Sequence, residues 1–232
     1  MDKLDQHDRW AIRRHSSLLR SLGVKSPTIF EVGANEGRAV DAYFVEIPDV
    51  NVVAFEANPS AVEGWSRFDE ERFTGIQVAL GSSVGSKLFH RRRDSRVSGF
   101  LDVDPDLLAR SRHYDLEETI EVDTTTLDQI SRARELPVPD LLRVMTRGFD
   151  LEVLKGAKDA LSSASIRMVA CEMFFATAFV GQPHPHEVLA FLEHHEYRLY
   201  GFDRLVETTS GALYFGTGLF LSAPARAQLG LL

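Results

Sequence analysis

The chain is 232 residues long, 44% apolar, and carries 34 acidic against 26 basic side chains for a net charge of −8. That length accommodates one domain with a full core and is short for two. The acidic balance argues against non-specific nucleic-acid binding, which needs a basic face, and the one basic run, His90–Arg96 (HRRRDSR), reads as a solvated loop.

A single cysteine, Cys171, sits inside the apolar run IRMVACEMFF; it permits no disulfide within the chain and reads as a buried, inert thiol suited to a reducing compartment. The N-terminal stretch MDKLDQHDRWAIRRHSSLL places acids and arginines where a signal peptide needs an apolar core. No stretch offers the ~18 apolar residues of a membrane span. A cytoplasmic protein with no membrane span is the expectation.

In chain order, Ala11, His15, Leu18, Leu19 and Leu22 fall at helical spacing and end at Gly23, so residues 1–25 read as an N-terminal helical extension. TIFEV is a short strand, and Val40, Tyr43, Phe44 and Ile47 mark the helix after it. NVVAFEA is a second strand, followed by a helix from about Ser60 behind Pro59, and GIQVAL a third. Residues 82–125 are less regular: SKLFH and TIEVDTT read as strands around a loop-rich piece. LDQISRARE is a short helix that Thr126 or Asp128 can cap, and DLLRVM is the fourth main strand. Val153, Leu154, Ala157, Ala160 and Leu161 share one helix face; IRMVACEMF is the fifth strand, PHEVLAFLEHH a helix, and YRLYGF and GALYFGTGLFLS the last strands. Strands separated by helices imply βαβ units. The short DRLVETTSG leaves no room for a crossover helix, so the last two strands pair antiparallel. The expected fold is α/β: one domain over residues 1–232, with a Rossmann-like doubly wound sheet of about seven strands, mostly parallel with an antiparallel C-terminal strand.

In such sheets ligands bind at the carboxyl ends of the strands. The first turn, FEVGANEGR, is therefore a candidate site. A dinucleotide fingerprint needs G-x-G-x-x-G, but here Asn35 and Arg38 stand at the second and third glycine positions and Glu36 adds negative charge. S-adenosylmethionine carries no phosphate, and its sulfonium and ammonium tolerate a turn flanked by Glu31 and Glu36. Gly33 lets backbone pass close beneath the methionine portion. Glu56, ending the second strand, can accept both ribose hydroxyls, as an acid there also does in NAD enzymes.

Several segments, TIFEVGANEGRAV, VVAFEANP, TTLDQI, DLLRVMTRGFDLEVLKGA, VACEMFF and LYFGTGLFLS, resemble in order and spacing the FkbM-type methyltransferases, over roughly Ser26 to Ser222. The resemblance implies a class I S-adenosylmethionine enzyme that methylates hydroxyl groups, often on sugars or polyketides. It implies cofactor contacts from Glu31, Gly33, Asn35, Gly37 and Glu56, with the adjoining Ala34 and Ala57, and places Ala79–Leu80 beside the adenine. One motif departs from the family. Its fourth strand usually ends Lys-x-Asp, then a polar pair, a glycine, one variable residue and Glu; here Arg143-Val144-Met145 is followed by Thr146-Arg147-Gly148-Phe149-Asp150. Met145 faces the cofactor or acceptor where the family has an acid.

Methyl transfer to an alcohol asks for alignment and for a base that takes the hydroxyl proton. Glu172, ending the fifth strand, is the first candidate, with His113, His184 and His186 behind it; His194 and His195 read as helix-end residues. No metal is expected, since His184-x-His186-Glu187 is a poor ligand set and Met145 removes an oxygen ligand. Residues 82–125, as a variable insertion, are expected to shape the site for a small-molecule or glycan-type acceptor. Three functions follow in order: an S-adenosylmethionine-dependent O-methyltransferase acting on a sugar or other small or carrier-bound metabolite, an adenosyl-cofactor-binding protein of the same fold with lost or altered catalysis, and an NAD(P)-dependent oxidoreductase.

Overall fold

The computed structural model describes residues 6–68 and 71–231; residues 1–5 of the expected N-terminal extension lie outside them. In chain order the first elements are α1 (Gln6–Ser21), β1 (Thr28–Val32), α2 (Arg38–Glu46), β2 (Asn51–Glu56), α3 (Pro59–Val62) and β3 (Phe73–Gln77). The middle holds β4 (Ala79–Leu80), β5 (Gly85–Arg92), α4 (Pro105–Arg110), β6 (Leu116–Thr125) and α5 (Leu127–Ala133). Then come β7 (Leu141–Val144), α6 (Asp150–Lys155), α7 (Lys158–Ser162), β8 (Met168–Phe174), α8 (Pro185–His194), β9 (Arg198–Glu207), β10 (Leu213–Leu221) and α9 (Ala223–Gln228).

Seven strands form one sheet in the order β3-β2-β1-β7-β8-β10-β9. β1, β2, β3, β7 and β8 run parallel, and β10 is antiparallel to both of its neighbours. The chain winds one way from β1 to β3 and the other way from β7, so the switch point lies between the carboxyl ends of β1 and β7. Alternation along the strands divides the core. Phe30, Val32, Phe55, Leu142, Val144 and Val169 face one helical layer, whereas Ile29, Val52, Ala54, Leu141 and Ala170 face the layer of α1 and α2.

Three expected elements come out differently. GIQVAL is not one strand: Val78 N–H still donates to Glu56 O, after which the chain leaves the main sheet and β4 pairs with β6. A second sheet, β4-β6-β5, results, and residues 82–125 are anchored through β4, which follows β3 of the first sheet after one residue. The helical face over residues 153–161 breaks into α6 and α7 at Gly156, where a Cβ would lie 2.0 Å from the Gly81 carbonyl oxygen. β9 continues through most of the stretch expected to connect it to β10. The cap expectation divides in two: Thr126 Oγ1 accepts from Gln129 N and caps α5, while Asp128 accepts from Asp159 N and Ala160 N at the start of α7.

The N-terminal helix is tied down by polar contacts. His15, fully buried, places Nε2 2.7 Å from Asp203 Oδ2 and Nδ1 3.2 Å from the Tyr43 hydroxyl; Arg14 donates to Asp203 Oδ1 and Phe202 O. Those bonds pin α1 to α2 and to the edge strand β9.

Candidate functional site

A cavity of about 290 Å³ opens at the switch point, and the first turn forms one wall of it. Its tightness comes from backbone crowding. Gly33 has φ +78°, and a Cβ there would stand 2.3 Å from the Met145 carbonyl oxygen. The glycine is required by the approach of β1 to the end of β7, a more direct reason than the cofactor clearance expected from the sequence. Gly37, at φ +83°, lies behind the cavity against the Phe68 ring. Asn35 takes φ +49°, a region Asn enters more readily than most residues. Its Oδ1 accepts from Glu36 N and Ser95 Oγ, and its carbonyl accepts from Trp65 Nε1. A residue that would obstruct a pyrophosphate therefore builds this turn and ties it to residues 82–125.

Of the residues singled out above, Glu31, Gly33, Ala34, Asn35, Glu56 and Ala57 line this half of the cavity, and Ala79, Leu80, Met145 and Glu172 line the rest. Glu56 is buried at 6% exposure; its Oε2 accepts from Asn35 N at 2.7 Å and its Oε1 from Asn58 N at 2.8 Å. Burial raises its pKa, opposed by the backbone N–H groups of Asn58, Asn35 and Ala57. Each carboxylate oxygen offers about two acceptor sites, so the three N–H groups leave acceptor capacity for a ligand. Glu31 is buried and ion-paired with Arg143, the residue at the family's lysine position.

The opposite wall is built from the ends of β7 and β8. Glu172, 4% exposed, pairs through Oε1 with Arg147 Nη1, while its buried Oε2 has no hydrogen-bond partner among the described residues. Beneath them Asp150 joins the two strand ends: Oδ2 accepts from Thr146 N and Oγ1, and Oδ1 accepts from Glu172 N. Burial, and then the Glu172 charge, push the Asp150 carboxyl up to about 7. Because that exceeds its ordinary 3.8, the stability Asp150 contributes is complete below about pH 4 and is lost as pH rises to about 7. Carbon-13 NMR of the Asp150 carboxyl should show a midpoint well above the ordinary carboxylate range; a midpoint near 4 would remove this account. Cys171 is fully buried, with its thiol pKa raised by burial and by Asp150 and Glu172, which makes it inert as expected.

The histidines fall elsewhere. His113 sits on the short turn Arg112–Tyr114, its side chain 71% exposed and 3.7 Å from Asp94, and is not part of the cavity wall. His184 caps α8, its N–H donating to Glu187, and stacks on His186; His195 meets Ser162 and Phe191. Among the described residues no group of three His, Cys, Asp or Glu could hold a metal ion, and no helix is long and apolar enough to cross a membrane. Sequence reasoning missed Arg147, Arg204 and Thr217, all in the wall. The last two arrive because Thr217 lies beside Glu172 on one side and Arg204 on the other. Phe89, Ser95, Ser98, Gly99 and Phe100 close the cavity from residues 82–125.

Known proteins resemble this chain in fold and in sequence. The solved structure of magnesium protoporphyrin IX methyltransferase (ChlM) from Synechocystis PCC 6803 with bound SAM superimposes with a TM-score of 0.50 at 9% identity, over 96% of this chain and 87% of that one, a likeness of fold. Hexuronic acid methyltransferase AglP from Haloferax volcanii is 25% identical over 154 residues, 66% of this chain. The aligned region spans 59% of the length of that relative. A family model described as the methyltransferase FkbM domain matches residues 31–199, which include both glutamates of the first wall and both strand ends of the second, and the chain belongs to the FkbM methyltransferase family.

Proposed function

We propose that the protein is an S-adenosylmethionine-dependent methyltransferase that methylates a hydroxyl of a glycan-type acceptor, with Glu172 as the base. The observation that carries the reading is the buried Glu172 in the wall of the same cavity as Glu56, one of its carboxylate oxygens having no hydrogen-bond partner among the described residues. The residues present fit the cofactor. Glu56 keeps acceptor capacity for the ribose, Phe55, Val78, Ala79 and Leu80 offer an apolar berth for adenine, and Glu31 and the first turn stand where the methionine end would lie. Bound there, S-adenosylmethionine supplies an electrophilic methyl group for in-line displacement by the acceptor oxygen. The Glu172 carboxylate takes the acceptor's hydroxyl proton as that oxygen attacks, and the Phe89 and Phe100 side of the wall limits competing water.

An acidic sugar heads the acceptor panel, because the AglP relative is named for hexuronic acid and Arg96, Arg147 and Arg204 line the acceptor side. Labelled methyl should pass from S-adenosylmethionine to a glucuronic-acid-bearing glycoside or to a neutral glycoside in the panel. Glu172→Gln should lower turnover by about 10²–10⁴-fold while leaving the affinity for S-adenosylhomocysteine unchanged. Retained turnover in Glu172→Gln excludes this base. Met145 favours a second reading, binding with lost chemistry, since it lines the cavity where the family usually has an acid. Tight S-adenosylhomocysteine binding with no transfer to any acceptor would support that one. The oxidoreductase reading keeps no support once Asn35 is seen to build the turn with its side chain; NADH should not bind.

A further inference from the structure

Arg147 occupies an unusual place. Thr146–Phe149 is a reverse turn closed by Phe149 N–H donating to Thr146 O at 3.3 Å. Its central residues, Arg147 and Gly148, have φ of +55° and +83°. Two positive values in succession define a mirror-image turn that glycine, asparagine and aspartate favour. An arginine at the first of them is strained, and such strain persists only where the surroundings impose it. Here Asp150 imposes it by accepting from Thr146 N and Oγ1 with one oxygen and from Glu172 N with the other. Glycine at 147 would be more comfortable, so backbone geometry does not explain the arginine.

The side chain does. Its Nε donates to Arg96 O at 2.5 Å and its Nη1 to Glu172 Oε1. The first bond ties residues 82–125 to the cavity rim, and the second occupies one oxygen of the buried carboxylate. With Oε1 held, rotation of the carboxyl group would break that ion pair.

We propose that Arg147 is a positioning residue for Glu172: the strained turn, clamped by Asp150, delivers the guanidinium to Oε1 and thereby holds the carboxyl group at its place in the cavity wall. The inference rests on Glu172 being the base. Its action is orientation, and the guanidinium transfers no proton. Because the partner is a planar fork, lysine should substitute poorly.

A double-mutant cycle tests this with labelled S-adenosylmethionine and the best acceptor of the panel. Arg147→Gly relieves the backbone and removes the fork. Turnover should fall on the order of 10²-fold, the penalty for a misplaced catalytic group, with S-adenosylhomocysteine affinity held within about threefold. In the Glu172→Gln background the same substitution should change turnover by less than about threefold, since its effect passes through the missing carboxylate. Equal losses in both backgrounds would show a merely structural role and overturn the proposal, as would an unaffected single variant. A crystal structure of Arg147→Gly supplies a readout that needs no acceptor: the Glu172 carboxyl should leave its position. A carboxyl that stays in place defeats the positioning role even if Glu172 is the base, whereas an inactive wild-type protein would count against the methyltransferase reading alone.

Discussion

Replacing Gly156 with alanine should lower the melting temperature by roughly 6–12 °C, corresponding to a destabilisation of about 3 kcal/mol or more. The backbone there has φ −82° and ψ −1°, which alanine adopts without strain. The penalty is therefore steric. A Cβ would meet the Gly81 carbonyl oxygen at 2.0 Å and its carbon at 3.0 Å, with Thr126 Cβ at 3.3 Å. These are mostly main-chain atoms, and they cannot swing aside as a flexible side chain would. Gly81 is itself fixed, because its N–H donates to Thr125 O, and Asp128 N–H donates to Gly156 O. Relief would require α6 to withdraw from the segment that follows β4, moving Leu80 in the cavity wall with it, so weaker S-adenosylhomocysteine binding should accompany the lower stability. Gly181→Ala is the control: nothing lies within 4 Å of its Cβ, and only the positive φ is penalised, at about 1 kcal/mol. Equal shifts in the two variants would mean that α6 slides freely.

That glycine belongs to the family-like segment DLLRVMTRGFDLEVLKGA, and its place in the structure is the contact between α6 and the chain leaving β4. The sequence suggested one continuous helix there because apolar spacing persists across the break and nothing local reports a carbonyl belonging to a residue 75 positions away. Strand-end residues were easier to read. Glu31, Glu56 and Glu172 each close or nearly close an apolar run, and a parallel sheet brings the carboxyl ends of its strands together whatever the details of packing. Arg147, Arg204 and Thr217 were hidden for the converse reason. Thr217 reaches the cavity only because β10 inserts between β8 and β9, and Arg147 only because two positive φ angles turn its side chain toward Glu172. Gly33 was read correctly as a tight position but for an incomplete reason, since the atom that forbids a Cβ is the Met145 carbonyl oxygen. His113 looked usable because it is titratable and lies in the segment expected to border the acceptor. That segment does border the cavity, but through residues 89–100 and not through the turn at 112–114.

Glu56→Gln should weaken S-adenosylhomocysteine binding by roughly 10²–10³-fold, a loss of about 3–4 kcal/mol, and should disturb the first turn as well. The wild-type carboxylate accepts two backbone N–H groups, from Asn35 and Asn58, one on each oxygen. A glutamine offers one acceptor oxygen and an NH₂ group, so one of those N–H groups would face another donor, at about 1–3 kcal/mol for the unsatisfied buried group. The remaining loss comes from the ribose, which would lose a charge-assisted hydrogen bond worth about 1.5–3 kcal/mol. Acid should imitate the substitution. Burial raises the Glu56 pKa, so protonation begins above the ordinary carboxylate range, and affinity should fall as pH drops through that raised value. Hydrogen exchange separates the two duties. If the carboxylate both anchors the turn and holds the ribose, exchange at the Asn35 amide should quicken in Glu56→Gln while affinity collapses, and bound S-adenosylhomocysteine should slow that exchange in the wild-type protein. Quickened exchange with unchanged affinity would leave Glu56 as a turn anchor only, and the ribose assignment would have to pass to another residue of the wall.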